Sequence, residues 1–112
     1  MKIKDLQNEI IDFRDKRNWK QFHKVKDLLL GLNIEISELS ELFLWKNANE
    51  INSTAKHRVE EEIADVFILL TYICNHFGIE LEHAVKKKIE MNNKKYPIEK
   101  SFNSNKKYNE FD

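Results

Sequence analysis

The chain has 112 residues, 41% of them hydrophobic and 34% charged, which suits one soluble domain with one core and excludes a disordered polymer. Two Gly and one Pro are too few turn signals for an all-β fold. Net charge is zero, so a nucleic-acid polymer is not an expected partner of the molecule as a whole.

Four helices can be drawn, predicting an all-α, four-helix bundle-like protomer over a single domain, residues 1–112. The first runs from about Ile3 to Arg17, with Leu6, Ile10 and Phe13 on one face. It breaks at Asn18-Trp19, before a short QFHK stretch. The second runs from about Lys26 to Lys46. Leu28, Leu32, Ile36, Leu39 and Leu42/Phe43 form its apolar stripe. The stretch NANEINST reads as a loop and offers Ser53 or Thr54 as the next N-cap. The third helix, from about Ala55 to Phe77, is apolar nearly all round from Ile63 to Ile73 and reads as the most buried one. Gly78 suits its C-cap. The fourth runs from about Leu81 to Lys95, with Ala84, Val85 and Ile89 inward, and stops before Pro97. Residues 97–112 form a polar C-terminal tail, expected to be irregular or ordered only on assembly.

Charge is unevenly spread along these elements. Residues 35–65 carry eight acids against three Lys/Arg, a net of −5, and residues 83–112 carry eight Lys against four acids, a net of +4. An acidic centre with a basic end suits a cation together with a polyanion, although a solvated basic tail is the plainer account of the end. The one cysteine, Cys74, excludes an internal disulfide and a multi-cysteine zinc site. The longest unbroken apolar run, Val66 to Leu70, is far too short to span a membrane, and MKIKDLQNEI lacks the apolar stretch of a signal peptide. The expected setting is reducing and cytoplasmic, without a membrane partner.

Two acidic pairs sit inside apolar stripes: Glu35/Glu38 in NIEISELSELFLW and Glu62/Asp65 in VEEEIADVFILL. Residues three apart share a helix face, so each pair can aim at one point. If the second and third helices pack antiparallel, four carboxylates meet across the seam. Burying even one costs on the order of several kcal/mol unless it is paired or holds a metal. Hard oxygen donors without His or Cys favour Mg²⁺, or Mn²⁺, over zinc. A solvated acidic face is the plain alternative, and it suits Glu41, Glu60 and Glu61 better. A di-iron bundle would need two Glu-x-x-His pairs, and only Glu80/His83 has that spacing.

EISELSELFLW, then EEIADVFILL, then KKKIEMNNKKYP resemble the MazG-type all-α nucleotide pyrophosphohydrolases, and within them the compact dCTP pyrophosphatase-like branch. RDKRNWKQFHKVKDLLLGL at the front, and YPIEKS with the later KKY at the end, extend the resemblance over nearly the whole chain. It implies hydrolysis of a nucleoside triphosphate to the monophosphate and pyrophosphate. It implies Mg²⁺ held by Glu35, Glu38, Glu62 and Asp65, base and sugar recognition by Trp19 and Trp45, and nucleotide contacts from Lys88 and Asn92. His23 and Tyr96, inside the matching segments, join the substrate-binding set. It further implies a helical homodimer or homotetramer with sites completed across subunits. Glu38 is the candidate acceptor of the water's proton, with Glu35, Glu41 and Glu61 as alternatives.

Packing is the plain account of Trp45, a structural hydrogen bond that of His23, a helix-end cap that of Tyr96, and a surface charge that of Lys88. Two positions depart from the dCTP-preferring pattern. Ile10 stands where that branch has a histidine, and Leu69 where it has a tyrosine. Both make the pocket more apolar and point to a broader, pyrimidine-leaning preference, as in sanitation of the nucleotide pool. The competing reading is a non-catalytic helical interaction module or regulator whose acids are solvated.

Overall fold

The computed structural model describes residues 2–112, and among them the chain is all-α, with no strand. The four predicted helices are all present, joined by two short ones and two 3-10 turns. The chain forms two compact units, residues 2–78 and 79–112.

In the first unit, α1 spans Ile3–Asp15, two residues short of the expected end. The Asn18 N–H bonds back to the Asp15 carbonyl at 3.0 Å. Asn18 then turns left-handed at φ 56°, a conformation Asn tolerates better than most residues. The apolar face is not the best-buried one. Leu6 and Phe13 are 39% and 46% exposed, while Gln7 and Arg14 are buried. Arg14 goes inward because its guanidinium is satisfied there. Its Nη1 donates to Asn75 Oδ1 at 3.0 Å and its Nε to Asp15 Oδ1 at 2.9 Å. A buried charge is stable only with such partners.

A 3-10 turn over Trp19–Phe22 leads into α2, Val25–Glu41. This helix stops short of Lys46. From Leu42 to Leu44 the N–H groups reach three residues back instead of four, and Trp45 closes the turn at φ 64°. That left-handed conformation costs an L-residue roughly 1–2 kcal/mol and cannot continue a helix. NANEINST is not a plain loop. It holds α3, Ala48–Asn52, capped by Asn47 Oδ1, which accepts from the Glu50 N–H at 3.0 Å. Ser53 and Thr54 do not cap the next helix. Their hydroxyls donate backwards to the Asn49 and Glu50 carbonyls, so α4, Lys56–Phe77, starts after Ala55 without a side-chain cap. At its far end Gly78 stands at φ 65° and its N–H reaches the Cys74 and Asn75 carbonyls, the C-cap expected of glycine.

The α2 and α4 helices run antiparallel. Leu28 shares a cavity wall with Tyr72, Gly31 meets Leu69, and Glu35 meets Glu62 and Asp65. Leu28, Leu42, Thr71, Tyr72 and Cys74 are the best-buried side chains beside Gln7 and Arg14. More of these belong to α4 than to any other helix, as its composition suggested. Much of the apolar stripe nonetheless faces outward: Ile36 is 45% exposed and Ile63 53%.

In the second unit, α5 spans Leu81–Lys95, and α6, Ile98–Ser101, follows Pro97. Val85 and Ile89, expected inward, are 47% and 54% exposed. The tail is more ordered than its polarity suggested. Tyr96 packs edge-on against both Tyr108 and Phe111, ring centroids 5.9 Å away in each case, and Lys95 Nζ lies 4.9 Å from the Tyr108 ring. Edge-to-face aromatic pairs are favourable beyond their area. No described helix alone is long and apolar enough to cross a membrane.

A candidate metal centre between two helices

The antiparallel pairing of α2 and α4 turns two separate i, i+3 spacings into one constellation. Glu35, Glu62 and Asp65 each offer a carboxylate oxygen, and all three oxygens lie within 4.8 Å of one another. The three residues are half-buried. Glu35 Oε2 and Glu62 Oε2 are shut off from solvent with no hydrogen-bond partner. Glu38 is more exposed and lies outside this set of three, but its carboxyl acts on those of both Glu35 and Glu62.

The electrostatics record this crowding. Desolvation first, then the hydrogen bond with Glu38 and the charges of Asp65, Glu38 and Glu62, push the Glu35 carboxyl up from 4.5 to about 7. Desolvation and the charge of Glu38 lead the causes that raise Glu62 as well. A buried acceptor without a donor is unfavourable. Two such oxygens on residues of one cluster, whose donors are all carboxylate oxygens, fit a hard divalent cation such as Mg²⁺ or Mn²⁺. Glu41 and Glu61 are exposed and fall outside this set of three.

The aromatic residues are placed differently. Trp19 meets Phe13 edge-on at 5.7 Å, the Arg17 guanidinium lies 3.6 Å from the Phe13 centroid, and 43% of Trp19 remains exposed. Trp45 is 92% exposed, so packing within the chain does not account for it. His23 sits against Tyr72 with centroids 4.4 Å apart, and its Nδ1 is buried without a partner. Ile10 lines a largely apolar cavity of about 250 Å³ with Leu6, Glu9, Phe13, Ile68 and Tyr72. In the second unit Lys88 and Asn92 are exposed one turn apart on α5, and Tyr96 is half-buried in its aromatic cluster.

One contributor escaped the sequence reading. Leu69 Cδ1 lies 3.2 Å from the point that a β-carbon on Gly31 would occupy. Glycine in a helix interior is unfavourable by about 1 kcal/mol, so Gly31 itself was the available signal for a close helix contact.

The sequence pattern of the MazG-like family matches residues 30–111. The dCTP pyrophosphatase 1 of Homo sapiens is 33% identical over 113 residues, covering 96% of this chain and 66% of that protein. Its Mus musculus counterpart is 36% identical over 111 residues, covering 95% and 65%. The chain thus spans just under two thirds of these relatives. Among solved structures, a pyrophosphatase from Archaeoglobus fulgidus superposes with a TM-score of 0.78 at 39% identity, over 85% of this chain and 92% of that one.

Proposed function

This chain belongs to the MazG-like family, and we propose that it hydrolyses nucleoside triphosphates to the monophosphate and pyrophosphate with Mg²⁺ or Mn²⁺ as cofactor. The observation that carries the reading is the meeting of Glu35, Glu62 and Asp65 with two buried, unpartnered carboxylate oxygens. Relatives named dCTP pyrophosphatase and pyrophosphatase support it.

A triphosphate carries about four negative charges, which must be neutralised before water can reach phosphorus. Glu35, Glu38, Glu62 and Asp65 would hold a divalent cation, which would supply that neutralisation and make water easier to deprotonate. Glu35, Glu62 and Asp65, fixed on two packed helices, hold their oxygens in place with little reorganisation. Glu38, the most exposed of the four, is free to accept a proton from the attacking water. Water adds to the α phosphorus, the bond to the bridging oxygen breaks, and pyrophosphate leaves.

Trp19 and Trp45, both substantially exposed, present flat faces for the base. Lys88 and Asn92 give a phosphate-binding row on α5, and Tyr96 and His23 complete the proposed contacts. Ile10 in its largely apolar cavity and Leu69 against Gly31 support a broad, pyrimidine-leaning preference for deoxynucleotides. The exposed apolar residues Leu30, Ile34, Leu44 and Phe77 support a homodimer or homotetramer. A cytoplasmic role in clearing surplus or modified nucleotides accompanies this reading.

The test separates products by chromatography. Pyrophosphate and the nucleoside monophosphate should form together, and only with Mg²⁺ or Mn²⁺. Orthophosphate and a nucleoside diphosphate as first products would overturn the assigned cleavage site.

A further inference from the structure

A second polar site lies at the other end of the α2–α4 pair. A cavity of about 300 Å³ is lined by Arg14, Lys20, His23 and Lys24, with Tyr72, Asn75 and His76 among its other walls. Leu28 and Tyr72, on this wall, are each seven residues from Glu35 and Asp65, so the cavity is displaced from the carboxylates by about 10 Å along the helices.

Arg14, Lys20 and Lys24 line the cavity, the charge of Arg14 paired with Asp15 at 2.8 Å, and no carboxylate lines it. Asp15, bound to Arg14, and Asp27, in the first turn of α2, are the acids next in the chain to the lining. The Arg14 side chain is 4% exposed and held in a fixed direction by Asp15 and Asn75. The His23 Nδ1 is buried and lacks a partner. The 17-residue α2 begins at Val25, in the wall, and its N-terminus has no side-chain cap. An uncapped helix start adds unpaired N–H donors and a partial positive charge. The surface lysines alone would be ordinary. A deeply buried arginine held in one direction and an uncapped helix start, beside them in one cavity, make a recess for negative oxygens.

We propose that this cavity binds a phosphoryl oxyanion, separately from the carboxylate centre. The ligand is the tetrahedral, multiply charged oxygen group itself, carried either by free phosphate or pyrophosphate or by a nucleotide. The cavity shares His23 with the nucleotide contacts proposed above, but the proposal does not rest on the hydrolytic reading, because the recess selects charge and shape without a metal.

Isothermal titration of the full chain in EDTA tests it, since the acidic centre repels anions when stripped of cations. The probes are inorganic phosphate, inorganic pyrophosphate and a nucleoside monophosphate. Saturable binding of either inorganic probe identifies a free anion as the source, and binding of the monophosphate alone identifies a nucleotide-borne one. Lys20→Glu/Lys24→Glu reverses two exposed charges and should weaken that binding by at least about tenfold. Lys87→Glu, on the separate basic helix α5, should leave it unchanged. The circular dichroism spectrum reports that both variants fold. The proposal is overturned if no probe binds saturably, or if Lys87→Glu weakens binding as much as the Lys20/Lys24 pair.

Discussion

Gly31 and Leu69 form the tight contact between α2 and α4, with the leucine Cδ1 3.2 Å from the place a β-carbon on Gly31 would take. Gly31 lies one turn before Glu35, and Leu69 one turn after Asp65. The contact therefore sets the helix spacing at which those carboxylates meet. Gly31→Val should push α4 outward, an overpacking effect of typically 1–3 kcal/mol, and raise the Mg²⁺ concentration for half-maximal pyrophosphate release by roughly tenfold. Leu69→Ala in the same chain should restore most of the loss. If the double variant stays as impaired as Gly31→Val alone, the contact does not set the site.

Removing a carboxylate tests the centre directly. Glu38→Gln and Asp65→Asn should each lower turnover by at least about a hundredfold, in line with loss of a charge stabiliser, without unfolding the protein. Glu50→Gln and Glu110→Gln, outside the constellation, should remain near wild type. A Glu50→Gln defect matching that of Glu38→Gln would misplace the centre.

Metal-free stability should depend on pH in a direction the Glu35 carboxyl fixes. Its folded pKa of about 7 exceeds the ordinary 4.5, so the folded state holds its proton more tightly than the unfolded chain. The stability this contributes is fully present below 4.5 and is lost as pH rises through 7, the raised Glu62 carboxyl acting in the same sense. In EDTA the Tm should fall between about pH 5 and about pH 8, and Glu35→Gln should flatten the profile. Added Mg²⁺ should raise the Tm most at the alkaline end, where the carboxylates are ionised and the cation binds only the folded state. A metal-free Tm that climbs over that interval would contradict the sign.

Helix types and the meeting of Glu35, Glu62 and Asp65 were legible because periodicity is local: i, i+3 acids within apolar stripes specify a face without knowledge of its neighbour. What periodicity lacks is the identity of the covering surface. Leu6, Phe13 and Ile36 lie on apolar faces and Val85 reads as inward, yet each is at least 39% exposed. Arg14 was passed over because arginine ordinarily faces water, and only the distant Asn75 makes its burial stable. The early end of α2 was hidden by Trp45, whose type gives no hint of a positive φ.

The exposed apolar residues carry an assembly prediction. Leu30, Leu44, Phe77 and Trp45 are 59%, 55%, 58% and 92% exposed, more apolar surface than a small monomer ordinarily leaves open. Light scattering should report a dimer or tetramer at micromolar concentration. An active, stable 13.5 kDa monomer would refute it.

The base preference follows from what the aromatic and apolar residues can and cannot distinguish. Stacking on a tryptophan is worth roughly 1–3 kcal/mol per base and tolerates every base. Discrimination needs polar groups on the base edge, whose loss leaves buried partners unpaired. Trp19 and Trp45 supply exposed rings. Ile10, in its largely apolar cavity, and Leu69, against Gly31, offer no hydrogen bond. Pyrimidine deoxynucleotides should therefore be hydrolysed with modest selectivity, and bulky or apolar 5-substituents on cytosine or uracil should be accepted. Trp45→Ala should raise KM more than it lowers kcat, since ground-state stacking is lost while the carboxylates stay intact. Specificity constants decide the matter: a dCTP preference above about a thousandfold over dTTP and dUTP would mean that other polar groups read the base edge and that Ile10 and Leu69 do not broaden it.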